Sequence, residues 1–243
     1  MTAPAPRTCC LDLDTFFVSV ERLLDPTLVG KPVVVGGRKG GGGVVTAASY
    51  EVREHGVHSG MPIREASTLA PHAVFLPGTH GIYSEYSQAV RAIIERFSPA
   101  VRAASIDEAY IDFSGCERLY RKPEDRSADE TIRRTVVELT GAIQSELGLP
   151  SSAGIATTKS MAKIASGLAK PAGVLLVAAG TEAATLAPLG VRKLPGVGPV
   201  TEGKLVAAGI QTLGQLAGAS DDFLHRVFGV YATGIRRSAR GLG

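Results

Sequence analysis

Ser105-Ile106-Asp107-Glu108-Ala109-Tyr110-Ile111-Asp112 places two adjacent carboxylates between two short apolar runs. Val101 to Ile106 and Ala109 to Phe113 both read as strands that bury one or both faces. Two residues between them is the length of a tight hairpin, so Asp107 and Glu108 are expected at or beside its tip, exposed and pointing in different directions. Adjacent anions raise each other's pKa unless a cation holds them, and Mg2+ takes carboxylate oxygens readily. Taken alone, the octapeptide also reads as an ordinary acidic turn.

The N-terminal stretch Thr8-Cys9-Cys10-Leu11-Asp12-Leu13-Asp14 is a second short apolar run, with acids on alternate positions near its end. On a strand, Asp12 and Asp14 project to the same face. If this strand lies beside the hairpin, Asp12 joins Asp107 and Glu108 to make three carboxylates around one or two divalent ions. Two-metal sites of this kind clamp the attacking and leaving oxygens of a phosphoryl transfer.

The chain has 243 residues, 44% hydrophobic and 20% charged, enough for a sizeable core and two or three compact units. No apolar run approaches the roughly 18 residues of a membrane span, which points to a soluble globular protein. The N-terminus carries one Arg and no signal-peptide core, and Cys9, Cys10 and Cys116 show neither metal nor disulfide spacing, so a reducing cytoplasm fits. The net charge of +3 is unevenly spread: residues 151–243 hold 10 basic and 4 acidic side chains, whereas residues 80–150 hold 9 and 12. An acidic, metal-binding centre followed by a basic region suits a phosphate-backbone partner, with solubility alone as the bland alternative.

Along the chain, Thr15 to Leu24 has helical spacing and ends at Asp25-Pro26. Pro32 to Gly36 and Val44-Val45-Thr46 read as strands joined by a glycine run that lacks the Gly-Lys-Ser/Thr of a phosphate loop, hence a flexible hairpin loop. Ala48 to Gly56 reads as a short helix whose Tyr50 and Arg53, three apart, share a face suited to an anionic oligophosphate, or simply to solvent. Met61-Pro62 opens another helix, Ala73 to Leu76 is a strand, and Tyr83 to Phe97 a helix. His55, His58, His72 and His80 show no ligand spacing and are read as surface residues. Asp129 to Leu147 is the longest helix, with an apolar stripe from Ile132 to Leu147 and Gly148 closing it. A strand at Ser152 to Ala156 and a helix at Thr158 to Ala169 follow, the latter bringing Lys159, Lys163 and Lys170 before Pro171. From Leu194 to Leu205, Gly196-Val197-Gly198 between two short helices offers backbone N–H groups to a phosphate, with Lys204 adding charge, as in a helix-hairpin-helix; an ordinary helical turn is the alternative. Arg236 to Gly243 reads as a basic linker.

Asp12-Leu13-Asp14 with Phe16-Phe17, Ala48 to Arg53, Gly60-Met61-Pro62, Ser105 to Tyr110, Ala169-Lys170-Pro171 and the Leu194 to Gly198 turn follow the order seen in Y-family translesion DNA polymerases of the DNA polymerase IV type. The resemblance covers essentially the whole chain. It implies an α+β fold: a palm (1–20 and 80–170) with an antiparallel sheet backed by helices, small α/β fingers (21–79), and a helical thumb (171–243) with a helix-hairpin-helix near 191–210. It implies Asp12, Asp107 and Glu108 as catalytic metal ligands, with the Leu13 carbonyl as a further ligand, holding two Mg2+ ions that Mn2+ could replace. Asp14 matches a family acid that is not a usual metal ligand. Phe16, Phe17, Tyr50, Arg53 and Lys170 would bind the incoming dNTP, Phe17 would be the steric gate against ribose, and Gly196, Gly198 and Lys204 would touch DNA.

The implied partners of this monomer are primer-template DNA and dNTP, with low fidelity and low processivity. Ala47 stands where some relatives carry a hydroxyl residue that touches the triphosphate. The family's little-finger domain and clamp-binding tail would lie beyond the last residue, so a sliding clamp is expected only of a full-length protein. Two rival readings are a palm-type nucleotide cyclase, which leaves the Gly196-Val197-Gly198 hairpin without a purpose, and a non-catalytic DNA-binding scaffold. Template-dependent, Mg2+-dependent extension separates them.

Overall fold

The computed structural model describes residues 5–242. The acidic octapeptide lies at one end of a five-stranded sheet. Strand β1 (Thr8–Leu13) leads into helix α1 (Phe16–Leu24), and β2 (Val33–Val35), β3 (Ala47–Ala48), α2 (Tyr50–Arg53), α3 (Ile63–Leu69) and β4 (Val74–Leu76) follow. Next come α4 (His80–Glu95), β5 (Val101–Ala103), β6 (Glu108–Asp112), α5 (Glu117–Tyr120), α6 (Ala128–Leu147), β7 (Ser151–Ala156), α7 (Lys159–Ala169) and β8 (Val174–Leu176). The remainder is helical: α8 (Glu182–Leu186), α9 (Pro199–Ala207), α10 (Leu213–Gly218), α11 (Asp221–Phe228) and α12 (Ala232–Ala239).

The main sheet runs β5-β6-β1-β7-β8, antiparallel except that β8 pairs parallel to β7. The expected antiparallel sheet holds for β5, β6, β1 and β7, and a fifth strand is added to it: Gly173 and the residues after it return alongside β7 as β8, parallel to it and beyond the expected palm limit at residue 170. On one face, Cys9, Leu11, Ile111 and Ile155 pack against α4 and α6. The stripe Ile132, Val136, Leu139 and Ile143 is fully buried there, as its spacing requires. Helix α6 starts at Ser127, whose hydroxyl accepts from Glu130 N, and ends at Gly148 in the left-handed region with φ 70°, a conformation that glycine adopts without a side-chain clash.

On the opposite face, α7 lies directly on β7. Gly154 makes this possible, because a Cβ there would run into the helix backbone at Ala162, Ala165 and Ser166. Cys10, Met161, Ala162 and Ala165 join Leu205, Leu213 and Leu224 of the C-terminal helices in a second core. The smaller sheet, ordered β3-β2-β4, buries Val34, Ala48, Val52 and Ile63 in a third. Among the described residues, no helix is long and apolar enough to cross a membrane.

Several elements differ from the sequence expectation. The hairpin is not a two-residue turn: β5 ends at Ala103 and the loop 104–107 precedes Glu108, which is already on β6. The turn closes where Ala104 N and Ser105 N both donate to Glu108 O, and the Ile106 carbonyl that follows accepts from Ser87 of α4 at 2.6 Å. Val44 and Val45 do not pair with β2: Val45 N donates to Met61 O and Val44 bridges Pro62, whereas Thr46 N reaches Val35 O at 2.8 Å and the ladder continues through Ala47–Ala48. Helix α2 is correspondingly short, because Ala48 stays in the sheet and Ser49 caps the helix by accepting from Val52 N. Residues 236–239 are no linker. They are the end of α12, where Arg236 pairs with Asp221 at 2.5 Å and donates to Ala219 O.

Candidate active site

Asp12 and Glu108 face each other across the β1–β6 ladder, and Leu13 N donates to Asp107 O at 2.9 Å. Strand pairing therefore brings together Asp12, Leu13, Asp107 and Glu108. Like charges directly opposite on adjacent strands destabilise a sheet, and the chain supplies the remedy. Lys170 Nζ lies on Asp12 and, at 3.5 Å, on Asp14, while Lys163 Nζ lies on Glu108. Burial raises the Asp12 pKa against the pull of Lys170, with Asp107 and Glu108 adding to the rise. Burial alone would depress the Lys163 pKa, but the Glu108 carboxylate more than offsets it and the net shift is upward.

The three carboxylates are not gathered into a ready-made cage: among the described residues no set of three or more Asp, Glu, His or Cys side chains lies at ligand spacing. Each ammonium draws one carboxylate towards itself. The donor chemistry nevertheless fits a hard divalent cation, since two of the three carboxylates already hold a positive charge and the ligand set is all oxygen.

Asp14, past the end of β1, is 1% exposed and accepts from Ser152 Oγ at 2.8 Å, Ala172 N at 2.7 Å and Tyr50 Oη at 3.3 Å. It ties β1 to β7, to α2 and to the turn after α7. Burial, with the Asp14 charge behind it, pushes the Tyr50 phenol up to about 12. Arg53 stacks over the Tyr50 ring at 5.1 Å and donates to Ala48 O at 3.0 Å. Tyr50, Arg53 and Lys170 thus stand with the acidic residues through contacts that span the chain.

Phe16 and Phe17 divide at the start of α1. Phe16 is 2% exposed in the core, and Phe17 is half-buried with its ring 4.5 Å from that of Tyr83. Gly196, at φ 93°, lies in a groove with Lys163, Arg192 and Lys193, while Gly198 caps α9. The limb before this turn is a single 3-10 turn, Val191–Lys193, rather than a second α-helix. Lys204 is exposed on α9 and does not line that groove.

Sequence reasoning assigned no place at the site to Lys163, Ser152 or Asp14's buried hub. The available signal for Lys163 was its spacing from Lys159, one turn apart on a helix otherwise made of small and apolar residues. Nothing in the local pattern marks Ser152.

A family model described as impB/mucB/samB matches residues 11–167. A protein named DNA polymerase IV from Dehalococcoides mccartyi is 44% identical over 236 residues, 97% of this chain and 58% of the relative. One of the same name from Streptomyces coelicolor is 43% identical over 242 residues, 97% of this chain and 49% of the relative. The chain therefore spans about half the length of these curated relatives. Among solved structures, DinB from Sulfolobus solfataricus superposes with a TM-score of 0.85 at 29% identity, covering 97% of this chain and 67% of that one. An insertion ternary complex of Dbh DNA polymerase gives 0.84 at 28%, covering 98% and 68%. With the family match spanning more than half of its residues, the chain belongs to the impB/mucB/samB family, in agreement with its resemblance to Y-family polymerases of the DNA polymerase IV type.

Proposed function

We propose that this chain is the core of a template-directed DNA polymerase of the translesion type, transferring a nucleotide from dNTP to a primer 3′-hydroxyl. The observation that carries the reading is the convergence, from four separate segments, of Asp12, Asp107 and Glu108 with Tyr50, Arg53 and Lys170. In this reading the palm comprises residues 1–20 and 80–170 together with β8, which completes its sheet, the fingers 21–79 and the thumb the helices that follow β8. Asp12, Asp107, Glu108 and the Leu13 carbonyl would hold two Mg2+ ions, or Mn2+ in their place. Bound there, such ions lower the pKa of a coordinated hydroxyl and neutralise phosphate charge.

The chain's own groups account for the rest. Lys170 and Lys163, resting on the carboxylates, are free to turn to phosphate once those carboxylates have other cations to hold. Tyr50, which shares Asp14 Oδ1 with Lys170, and Arg53 beside it would also reach the triphosphate, with Arg53 presenting a planar fork suited to phosphate. The half-buried ring of Phe17 faces the sugar, and its apolar wall has no partner for a 2′-hydroxyl. The groove of Lys163, Arg192 and Lys193 beside Gly196 receives a DNA backbone by charge and N–H groups without reading bases.

Primer extension with all four nucleotides, with and without Mg2+, tests the reading. Asp107→Ala and Glu108→Ala are each expected to lose about 100-fold or more in incorporation rate, equivalent to about 3 kcal/mol, with thermal stability and DNA binding nearly unchanged. Activity within about tenfold of the parent in either variant, or extension that ignores the template, would sink it.

A further inference from the structure

We propose that Ser87, on α4 and outside every motif of the site, is a positioning residue that aims Asp107. This rests on the polymerase reading above. Serines within a helix usually return their hydroxyl to the carbonyl four residues back, as Ser67 does to Ile63 at 2.7 Å. Ser87 does not. Its hydroxyl donates across to the carbonyl of Ile106 at 2.6 Å, in the loop that separates β5 from β6.

The peptide on the other side of Asp107 is clamped as well, since its carbonyl accepts from Leu13 N at 2.9 Å. The two carbonyls flanking the Asp107 Cα are therefore held by two different elements. Fixing both peptide planes fixes the direction of the Cα–Cβ bond, and with it where the carboxylate can reach. The Leu13 bond belongs to the end of β1 and comes with the ladder; the Ser87 bond is the separate one.

Packing does not duplicate it. Between α4 and the hairpin lies a pocket of about 160 Å3, lined by Val90 and Ile94 on one side and Leu11, Leu13 and Ala109 on the other. A volume of this order, roughly 150 Å3, takes a molecule the size of benzene, so the loop has room to sink or tilt behind the site. Ile106 is only partly buried against the core. Ser105 Oγ donates to Asp107 Oδ1 at 2.5 Å, but it belongs to the same loop and moves with it; without the Ser87 hydroxyl the peptide between Ile106 and Asp107 loses its tie to α4 over that space. Groups hydrogen-bonded directly to a metal ligand matter by roughly 10–100-fold when lost; Ser87 acts one peptide removed, so the lower end of that range is expected.

The test uses the full chain with primer-template DNA. Ser87→Ala places the best helix former on a helix surface, so α4 itself is not weakened. The expected result has three parts: kcat falls about tenfold with the nucleotide KM within about twofold, and the Mn2+ concentration giving half-maximal incorporation rises severalfold. Backbone amides of residues 104–107 exchange with solvent faster. Ser87→Thr, which keeps the hydroxyl, recovers most of the loss. An unchanged kcat, a kcat loss without faster exchange at 104–107, or a KM that rises in step would each overturn the proposal. If the parent itself incorporates no nucleotide, the polymerase reading fails. The exchange rates and Mn2+ binding followed by electron paramagnetic resonance then decide on Ser87 separately.

Discussion

Gly154→Ala puts one methyl group where α7 touches the main sheet, and its consequences can be worked from the packing. A Cβ at Gly154 would stand 2.6 Å from the Ala165 carbonyl carbon and closer still to Ser166 N and Ala162 O. Carbon atoms rest at about 3.5–4.0 Å, so the middle of α7 has to withdraw by about 1 Å. These contacts are backbone, which no rotamer change relieves. Overpacking of this kind costs about 1–3 kcal/mol. For a chain of this size each kcal/mol lowers Tm by about 2–4 °C, which places the expected drop at about 2–12 °C.

The same displacement has a functional consequence, because α7 carries Lys163 and ends at Lys170, which rest on Glu108 and Asp12. Misplacement by about 1 Å can cost up to 100-fold in rate, and a loss of about tenfold in incorporation is expected. Gly167→Ala provides the control: it lies on the same helix with nothing within 4 Å of its added Cβ, and should be neutral or stabilising by up to about 1 kcal/mol. Circular-dichroism melts and single-nucleotide incorporation measure both variants. A Tm of Gly154→Ala within about 1 °C of the parent, or equal destabilisation by the two substitutions, would refute the close-packing account.

Phe17→Ala is expected to raise ribonucleotide relative to deoxyribonucleotide incorporation by about tenfold or more, since it removes the half-buried ring while leaving Phe16 in the core; a shift seen instead in Phe16→Ala would mean that the neighbouring ring faces the sugar. Binding to primer-template DNA should be weak and without base preference, log K falling with log salt at a slope near −3 if three phosphates are contacted, and a filter-binding titration that shows no salt dependence would contradict the groove beside Gly196. Asp125, gripped by Arg134 and also accepting from Lys122 N and Thr131 Oγ1, has its carboxyl held well below the usual range, chiefly by the guanidinium. Its folded pKa lies under the unfolded value of about 3.9, so its stabilisation is present above that pH and is lost as pH falls through the folded pKa. Asp125→Asn should accordingly melt lower than the parent at pH 7, with the gap closing below about pH 4; a gap independent of pH would show that the carboxylate charge is not what matters.

The sequence by itself determined whatever depends on neighbours in the chain. The apolar stripe and Gly148 mark α6 to within a residue of its limits, and the acids of Asp12-Leu13-Asp14 and Asp107-Glu108 stand out as charges beside apolar strands, a pattern open to metal binding and to an ordinary acidic turn. Tyr50 and Arg53 were legible as one face of a helix for the same reason, their spacing being three. The strand limits near Ala103 and Ala47 were not legible, because they depend on which non-neighbouring group claims each N–H and C=O: Glu108 O takes the N–H groups of Ala104 and Ser105, Ser87 Oγ takes Ile106 O, and Met61 O takes Val45 N. The pairing of Asp12 with Glu108, the lysines that neutralise them and the burial of Asp14 among Ser152, Tyr50 and Ala172 were likewise decided only by the tertiary structure. A single carboxylate has no pattern in sequence; it acquires a role when the fold takes it out of water and obliges the donors around it to come from wherever the chain passes.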